Sequence, residues 1–492
     1  MLPYKTLIQI DRSASTPLYV QIISEVIRNI TVGIIAGGQK LPGTRKLSIL
    51  LEVHRKTVIT AYDELEAQGW IDIKPNQGCF VNDTLPLVYP QAPPRESHHK
   101  IAQFEVPSYA DVLVHPPQTA QPKARLTIDD GSPDVRIAPR RTLAKHLNFV
   151  LNSGIGTSLM TYNQAYRGDL LLRKEVLRYL KESRGLSLSL ENILITRGSL
   201  MAFYLVFKTL LKPGDSVIVG YPGFNEGQNT IRMAGGSLIR VPVDEDGMNV
   251  DSVEQICKRK KVRAVFIISH HHYPTTVSLS ASRRMQLLAL AKKYRFAIIE
   301  DDYDYDFHYS SSPLLPMASI DHSGSVVYVG SLSKIIAPSL RLGFLTGPEN
   351  LVNELALLSQ YIDSFGNTAL ERAIALLFQE GDVSRHIRKA VRTYKQRRDL
   401  FCQLFHDRLS EAVELAPPEG GMALWVTFKE NYPVNEIIAQ ARDRGLRIPP
   451  PSSFSDQESP MNALRLGFAS LDEEEILKAF EVLEDSVRGS RR

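Results

Sequence analysis

The sequence predicts two domains of different fold class, a small α+β domain of helices with one hairpin and a large α/β domain with a mostly parallel sheet. Three observations predict this. The 492 residues are too many for one hydrophobic core. A stretch with eight prolines and no clear period, residues 85–125, interrupts the chain. Beyond it, apolar strands alternate with amphipathic helices, which is typical of a parallel sheet covered on both faces.

The composition excludes several classes of protein. The chain is 43% hydrophobic and 23% charged, as in globular proteins that dissolve in water, and it has no run of 18 apolar residues that would predict a membrane span. Its three cysteines, Cys79, Cys257 and Cys402, fit neither a zinc site nor a disulfide framework. The first residues lack the apolar core of a signal peptide, so we expect a cytoplasmic protein without a membrane partner.

Apolar residues at helical spacing predict three helices in the first seventy residues, and two short strands follow them. The strands flank the turn at Pro75–Gly78 and predict a wing hairpin, in which Gly78 lets the backbone approach a phosphate or a minor groove. The inner faces of the helices are Leu18, Ile22, Val26 and Ile30 in the first, Leu47, Leu50 and Leu51 in the second, and Val58, Tyr62 and Leu65 in the third.

Basic residues concentrate around the second and third helices. Residues 38–58 hold five lysines or arginines against one acid, Glu52, although the whole chain has a net charge of only +4. A solvated helix face would give the same count. However, the third helix leaves Arg55, Lys56 and Thr57 facing outward at its start, and a helix of this kind after a tight turn suits a DNA major groove.

The string from Leu41 to Trp70, LPGTRKLSILLEVHRKTVITAYDELEAQGW, resembles the winged helix-turn-helix domain of GntR-type regulators, and the likeness extends over residues 15–83. This resemblance implies that Arg45 and Arg55 contact phosphates or bases and that Lys56 and Thr57 lie near base edges. The family usually has serine at the positions of Gly43 and His54. Loss of a serine N-cap costs roughly 1 kcal/mol of helix stability unless another group replaces it.

In the large domain, polar and aromatic residues follow the predicted strands. Lys334 ends the strand VVYVGS, and its partly desolvated amine can form an imine in the neutral state. Ser331, Ser333 and Arg341 can hold a phosphate near it. Other candidates are Asp301 for a pyridinium nitrogen, Tyr303 for a phenolate oxygen, Phe224 for stacking on a flat ring, Gly198 and Ser199 at a phosphate-binding helix N-terminus, and Arg465 for a carboxylate.

Taken singly, these residues also suit strand caps, core packing or surface ion pairs, but in this order they resemble class I aminotransferases over about residues 126–480. The resemblance implies the α/β pyridoxal 5′-phosphate (PLP)-dependent transferase fold of fold type I, with a large subdomain at about 160–380 and a small one formed by 381–492 with 125–159. Lys334 is then the catalytic lysine that forms the Schiff base with PLP. Asp301 faces the ring nitrogen, Tyr303 the ring oxygen, and Phe224 stacks on the ring. The implied phosphate ligands are Ser199, Ser331, Ser333 and Arg341, and Arg465 holds a substrate or effector carboxylate.

Some positions depart from the aminotransferase pattern. Where these enzymes often have Asn-Pro-Thr-Gly, this chain reads HHHYPTT, so that Tyr273 replaces the asparagine that binds the cofactor oxygen. Tyr162 lies in a segment that matches the substrate-side loop only loosely and is a candidate effector contact. The three histidines do not predict a metal site, because side chains on a strand alternate and no third ligand is apparent.

The two halves together resemble MocR/GabR-type regulators, in which residues 1–83, a linker over 84–124 and residues 125–492 are expected to form the winged helix, the tether and the aminotransferase-like domain. This implies a PLP-dependent homodimer that binds half-sites in promoter DNA and senses a small amino compound or a B6 vitamer. Two alternatives stay open: a true aminotransferase that carries a DNA-binding module, and a DNA-binding protein whose cofactor site is only structural. The identity of the effector and the direction of regulation do not follow from the sequence.

Overall fold

The computed structural model describes residues 2–85, 113, 125–161, 165–309, 313–455 and 461–492. They divide into two compact units, one within residues 1–106 and the other within residues 107–492. Most of the linker expected over 84–124 lies outside the described residues, and so does Tyr162. None of the helices in the described ranges is long and apolar enough to cross a membrane.

The first unit is built from helices and one antiparallel hairpin. Its elements within residues 2–85 are α1 (Tyr4–Leu7), α2 (Leu18–Thr31), α3 (Thr44–Leu51), α4 (Arg55–Ala67), β1 (Ile71–Lys74) and β2 (Gly78–Val81). The apolar faces of α2, α3 and α4 meet in one core that includes Ile22, Val26, Leu47, Val58 and Leu65, all buried. The strands β1 and β2 pair in antiparallel register, and this confirms the winged helix-turn-helix fold.

The second unit alternates helices and strands. In its described ranges the helices are α5 (Arg140–Asn152), α6 (Gly154–Leu159), α7 (Leu170–Arg184), α8 (Ser199–Leu210), α9 (Asn225–Met233), α10 (Val250–Arg259), α11 (Ala281–Tyr294), α12 (Met317–Ile320), α13 (Leu332–Ile335), α14 (Glu349–Asp363), α15 (Thr368–Gln379), α16 (Asp382–Leu409), α17 (Val434–Asp443) and α18 (Glu473–Gly489). The strands are β3 (Leu126–Thr127), β4 (Ile193–Thr196), β5 (Ser216–Tyr221), β6 (Ser237–Asp244), β7 (Gly247–Met248), β8 (Val262–Ile268), β9 (Ala297–Asp302), β10 (Val326–Ser331), β11 (Gly343–Thr346), β12 (Val413–Glu414), β13 (Ala423–Phe428), β14 (Leu446–Arg447) and β15 (Ala463–Gly467).

The main sheet has the strand order β4-β11-β10-β9-β8-β5-β6-β7. The strands from β10 to β6 are parallel to one another, whereas β11 runs antiparallel to both of its neighbours. Since two reversals cancel, β4 points the same way as β10. The carboxyl ends of β4, β5, β8, β9 and β10 therefore meet at one edge of the sheet, where ligands bind in α/β proteins.

A second core lies around the smaller sheet β12-β13-β15 and the helices α16, α17 and α18. The short strand β3 pairs in parallel with β14 and joins this part of the fold. Helix α5, which the sequence-based boundaries counted with the small subdomain, packs against α15. The residues that α5 buries are His146 and Val150.

Candidate cofactor and DNA-binding sites

The shared edge of the main sheet forms one wall of a cavity of about 100 Å³. Eight of the residues singled out from the sequence line it, together with three that were not. The lining consists of Asp130, Gly131, Ser199, Phe224, Ile268, Tyr273, Asp301, Tyr303, Ser331, Lys334 and Arg465. Of the other sequence-based candidates, Gly198 directly precedes Ser199, Arg341 lines a second cavity with Arg197, and the Ser333 hydroxyl bonds to the backbone of Leu342.

Lys334 enters the cavity from the one-turn helix α13, not from the end of the strand itself. The strand β10 ends at Ser331, and the backbone N–H groups of Leu332 and Ser333 then bond to the carbonyl oxygen of Leu342. The Lys334 Nζ donates to the carbonyl oxygen of Gly131 at 3.0 Å. The amine is half-buried and thus available to a group inside the cavity.

The hydroxyl of Ser333 is occupied by the same turn. It donates to the Leu342 carbonyl oxygen at 3.1 Å and accepts from the Leu342 N–H at 3.1 Å. Ser333 was expected to bind a phosphate. In this structure its hydroxyl instead fixes the geometry of the turn that presents Lys334.

Asp301 is a buried carboxyl that lacks a partner. Its side chain reaches the cavity from the end of β9, and its Oδ1 atom has no hydrogen-bond partner among the described residues. Burial raises the pKa of Asp301 well above its usual range, and the charges of Asp302 and Asp304 raise it further. A cationic N–H donor in the cavity would satisfy this oxygen, and a protonated pyridine nitrogen has that chemistry.

Arg465 and Tyr303 form a buried pair beside Asp301. The Tyr303 hydroxyl donates to the carbonyl oxygen of His271 at 3.1 Å and accepts from Arg465 Nη2 at 3.1 Å. The Arg465 guanidinium also donates to the carbonyl oxygens of Asp130 at 2.7 Å and Pro274 at 2.9 Å. These three bonds leave two of the five guanidinium N–H donors for another acceptor.

Aromatic rings enclose the other side of the cavity. The rings of Phe224 and Tyr273 meet edge to face with their centroids 5.4 Å apart, and the Arg465 guanidinium lies 4.8 Å from the centroid of the Tyr273 ring. The Tyr273 hydroxyl donates to Asp130 Oδ2 at 3.3 Å. In this structure Tyr273 is thus tied to Asp130, and Phe224 presents a ring to the cavity.

The N-terminus of α8 and the guanidinium of Arg341 together form a positively charged site. Gly198 is its N-cap residue with φ +81°, and Ser199 is its first residue. The Arg341 guanidinium donates to the carbonyl oxygen of Arg197 at 3.4 Å, and a Cβ atom at Gly198 would lie 2.9 Å from Arg341 Nη2. Free backbone N–H groups next to a guanidinium suit a phosphate, and only glycine leaves room for the guanidinium here.

The three consecutive histidines have separate partners. His270 Nδ1 lies 3.1 Å from Asp302 Oδ1, and His271 Nδ1 lies 2.9 Å from Asp304 Oδ1. His272 Nδ1 lies 2.9 Å from Thr275 Oγ1, and burial, with the charge of Arg465 adding to it, lowers the pKa of His272 to about 3. The His270 Nε2 also lies 2.6 Å from the Leu314 carbonyl oxygen, whereas the His271 Nε2 has no hydrogen-bond partner among the described residues.

Sequence reasoning missed Asp130, Gly131 and Ile268 as cavity residues. A local signal existed for the first two, since Asp129 Oδ1 accepts from the N–H groups of Gly131 and Ser132 and forms an Asx turn. The Asp-Asp-Gly-Ser string predicts such a turn. Its position against Lys334 depends on contacts between distant segments of the chain and cannot be found from the string alone.

The expected DNA-binding residues cluster at the start of α4 and on α3. Arg45, Arg55 and Lys56 are exposed and Thr57 is half-buried. His54 is the N-cap residue of α4, and its Nδ1 accepts from the Lys56 N–H at 3.2 Å. This imidazole therefore does what the serine of related sequences would do.

Two structural features of the wing require glycine at position 78, apart from any approach to DNA. Gly78 has φ +114°, and a Cβ atom there would lie 2.8 Å from Lys40 Cε. The Nζ atoms of Lys40 and Lys74 lie 5.5 Å and 5.3 Å from the centroid of the Phe80 ring. Gly78 thus lets a lysine cross the hairpin, and the wing presents two cations.

Both units match known families. Residues 150–483 match the family of aminotransferases of class I and II, and residues 18–81 match the gntR family of bacterial regulatory proteins. The chain belongs to the class I and II aminotransferase family. It is 27% identical to the probable rhizopine catabolism regulatory protein MocR of Rhizobium meliloti, with 94% of this chain and 92% of that protein covered.

Other relatives match either the whole chain or a large part of it. The HTH-type pyridoxine biosynthesis transcriptional regulator PdxR of Corynebacterium glutamicum is 26% identical, with 96% of each chain covered. The structure of Pyrococcus horikoshii kynurenine aminotransferase in complex with PMP matches 75% of this chain and 91% of its own, with 26% identity and a TM-score of 0.69. The identification of a GntR-type winged helix joined to an aminotransferase-like domain of fold type I is confirmed. Relatives along the whole chain that are named regulators fit a PLP-dependent transcription regulator better than an enzyme with an added module.

The cofactor of this aminotransferase-family unit is pyridoxal 5′-phosphate, and the cavity fits it. The unpartnered oxygen of Asp301 suits a pyridinium nitrogen, and the start of α8 with Arg341 suits a phosphate. When bound, the cofactor supplies a carbonyl carbon that reacts with primary amines and an electron-withdrawing ring. Lys334, which lines the cavity, would offer its amine to that carbon, and the buried guanidinium of Arg465 would be available to a carboxylate.

Proposed function

We propose that this protein regulates transcription by binding promoter half-sites through its winged helix and sensing a small amino compound or a B6 vitamer through its PLP-binding unit. The gathering of Lys334, Asp301 and Arg465 in one cavity, in a chain that also has a basic recognition helix, carries this proposal. The protein works in the cytoplasm, where DNA and B6 vitamers are both present. Residues 84–124 serve as the tether between the two functions.

Each residue of the cavity has a proposed role. Lys334 holds the cofactor's carbonyl carbon, Asp301 its ring nitrogen and Tyr303 its ring oxygen, while Phe224 and Tyr273 enclose the ring. Ser199, Ser331 and Arg341, with the backbone at Gly198, hold the phosphate. Arg465 uses its remaining donors for the effector's carboxylate, and Tyr162 stays a candidate contact for the effector.

DNA binding through α3 and α4 can be tested with single substitutions. Arg45→Ala and Arg55→Ala should each weaken binding of promoter DNA about tenfold or more, because each removes a phosphate or base contact of about 1–3 kcal/mol. Fluorescence anisotropy over a range of salt concentrations measures this. Arg28→Ala, which replaces an exposed arginine of α2, is the matched control and should bind like wild type. If the Arg55 variant binds with wild-type affinity, α4 is not the recognition helix, and the same result for the Arg45 variant would exclude a DNA contact from α3.

Effector sensing can be separated from DNA binding at Lys334. Among the described residues that line the cavity, Lys334 is the only amine. Lys334→Ala should therefore abolish the visible absorption of the purified protein and the response of a promoter reporter to effector, while DNA binding persists. Lys208→Ala, an exposed lysine on α8, should change none of these. A Lys334→Ala protein that responds fully to effector would refute this role of the lysine.

The regulator acts as a homodimer in this proposal, so that two winged helices reach repeated half-sites. Large apolar side chains remain exposed on the second unit, including Phe149 at 61% and Tyr361 at 84% of their full exposure, and a second subunit would cover such groups. Sedimentation velocity should show a dimer at micromolar concentration. A concentration-independent monomer would contradict this part of the proposal.

A second candidate function, a true aminotransferase, is favoured by the presence of Lys334, Asp301 and Arg465 together. Against it stands Tyr273, whose hydroxyl is held by Asp130 where related enzymes place an asparagine on the cofactor. We expect little sustained transamination with an amino donor and a keto acceptor. Rapid multiple turnovers with an ordinary amino acid would favour the enzyme.

A further inference from the structure

Helix α16 carries a concentration of positive charge that neither site described above uses. From Val383 to Arg398 it contains seven lysines or arginines and no aspartate or glutamate. The net charge of the whole chain is only +4, so this segment alone exceeds it. The rest of the chain therefore carries more acids than bases, whereas this segment carries only bases.

The seven cations differ in what they contact. Arg397 donates to Asp134 Oδ2 at 3.0 Å, and Arg398 donates to the carbonyl oxygen of Pro418 at 2.7 Å and to Asp399 Oδ1 at 2.6 Å. Arg385 pairs with Asp382 at the start of the helix. The other four are exposed and form no ion pair with the acids of the described ranges; they are Arg388, Lys389, Arg392 and Lys395.

Arg388, Arg392 and Lys395 share one face of the helix because they are three, four or seven positions apart, and Lys389 borders that face three positions before Arg392. With Arg385, Thr393 and Gln396, the residues Arg388, Lys389 and Arg392 line an open groove of about 390 Å³. Like charges at such spacings repel one another unless an anion lies between them. Guanidinium, ammonium, hydroxyl and amide groups are all donors to phosphate oxygens.

We infer that this face of α16, formed by Arg388, Lys389, Arg392 and Lys395, is a second DNA-contact surface that binds the duplex flanking the site read by the winged helix. The inference rests on the proposed function. DNA is the favoured occupant because the face is cationic throughout and the same chain holds a duplex. From Arg388 to Lys395 the helix rises about 10 Å, which is on the order of three phosphates along one strand.

The opposite face of α16 contacts the helix that carries the cofactor lysine. His386 is buried there, and its Nε2 lies 2.9 Å from the carbonyl oxygen of Ile335, the residue after Lys334. Because a carbonyl only accepts, the imidazole donates. The helix that carries the proposed surface is thus hydrogen-bonded directly to α13, which carries Lys334.

The test compares two triple variants of the full-length protein that lose the same charge. The first is Arg388→Gln with Lys389→Gln and Arg392→Gln, and the control is Arg259→Gln with Lys260→Gln and Lys261→Gln, on an exposed basic segment at the end of α10. Two duplexes are used: a short one selected from a random pool by wild-type protein, and the same site extended by about two helical turns on each side.

On the extended duplex, the α16 variant should bind at least tenfold more weakly than wild type. Its slope of log affinity against log salt should be smaller by about 2–3, since each lost phosphate contact removes about 0.9. On the short duplex it should bind like wild type, and the control variant should match wild type on both. Circular dichroism and sedimentation should show an unchanged fold and oligomeric state.

Several outcomes would overturn the inference. Equal affinities of the two variants on the extended duplex would show that the α16 charges do not touch DNA. An equal loss on both duplexes would place their effect at the winged helix, and a change in sedimentation would make this face a contact between subunits. If wild-type protein selects no DNA at all, the proposed function itself fails, and this result differs from each of the others.

Discussion

At the scale of single residues, the neighbours Asp301 and Asp302 differ in their hydrogen-bond partners and therefore in the direction of their pKa shifts. They follow each other on β9 and thus face opposite sides of the sheet. Burial alone would raise the pKa of Asp302, but the charge and hydrogen bond of His270, with further help from Arg184 and Tyr328, lower it to about 2. Asp301 has no such partner on its side, and its pKa is raised. Only the cavity-facing carboxyl lacks a partner.

The contrast predicts the effect of Asp301→Asn. The amide cannot bind a pyridinium nitrogen as a charged acceptor, so PLP affinity should fall at least tenfold. Without PLP at pH 8, the variant should unfold at the same temperature as wild type or higher, because the cost of a buried charge disappears. Thermal unfolding with and without PLP measures both effects, since ligand binding to the folded state raises the unfolding temperature.

Asp302→Asn is the matched control. A carboxyl whose pKa is lowered to about 2 stabilises the fold above its unfolded pKa near 3.8, and this stability is lost as pH falls toward 2. Asp302→Asn should therefore lower the unfolding temperature at pH 8 even without PLP. If the two variants respond alike, the difference in their environments does not govern cofactor binding.

The sequence could predict which residues follow the strand ends, because such residues interrupt apolar runs with polar or aromatic side chains. Lys334 and Asp301 are recognisable in this way, whereas Arg465 lies in the middle of β15, and the structure brings all three together. Asp130 could not be predicted, since its carboxyl meets Tyr273 across 143 positions of the chain. The hydrogen bond from the Ser333 hydroxyl to Leu342 could not be predicted from the sequence either, because the two residues meet only in the folded chain.

At the scale of helices and strands, His54 acts as the N-cap of α4 in place of a serine, although histidine would not be expected to cap a helix from its residue type alone. His54 accepts the N–H of Lys56 at 3.2 Å, as a serine cap would. His54→Ala should therefore make the first amides of α4 exchange about fivefold faster, which corresponds to roughly 1 kcal/mol. Hydrogen exchange on a peptide covering 54–67 measures this, and His54→Ser should keep wild-type rates. Unchanged exchange in His54→Ala would show that the cap bond contributes nothing.

Element types followed from the sequence, but some positions did not. The mostly parallel sheet could be predicted from continuous apolar strands, since strands buried on both faces lose the alternation of polar and apolar residues. The antiparallel strand β11 between β4 and β10 could not, because its short apolar run Gly343–Thr346 carries no mark of direction. The packing of α5 on α15 also depends on which apolar face is still uncovered after the sheet has formed.

At the scale of the whole molecule, the two fold classes could be predicted because each has its own hydrophobic core and its own periodicity. Polar groups buried between helices are less visible. Glu371 of α15 is an example: it is 2% exposed and accepts the N–H of Asp169, at the start of α7, at 2.6 Å. Burial raises the pKa of Glu371 to about 7, and although the N–H of Asp169 opposes this, the charge of Asp169 adds to it. The carboxyl thus keeps its proton well above pH 4.5.

This raised pKa predicts how the stability of the second unit depends on pH. Between about pH 4.5 and 7 the folded state binds a proton at Glu371 that the unfolded state has released, so the contribution of Glu371 to stability is lost as pH rises through this window. The loss is on the order of 3 kcal/mol.

Glu371→Gln stays neutral and still accepts the Asp169 N–H, so its free energy of unfolding should fall less than that of wild type between pH 5 and 8. Urea unfolding at both pH values measures the difference, and exposed Glu380→Gln is the control that should follow wild type. All other titrating groups are shared, so equal pH dependence in the Glu371 variant and wild type would mean that this carboxyl is ionised throughout.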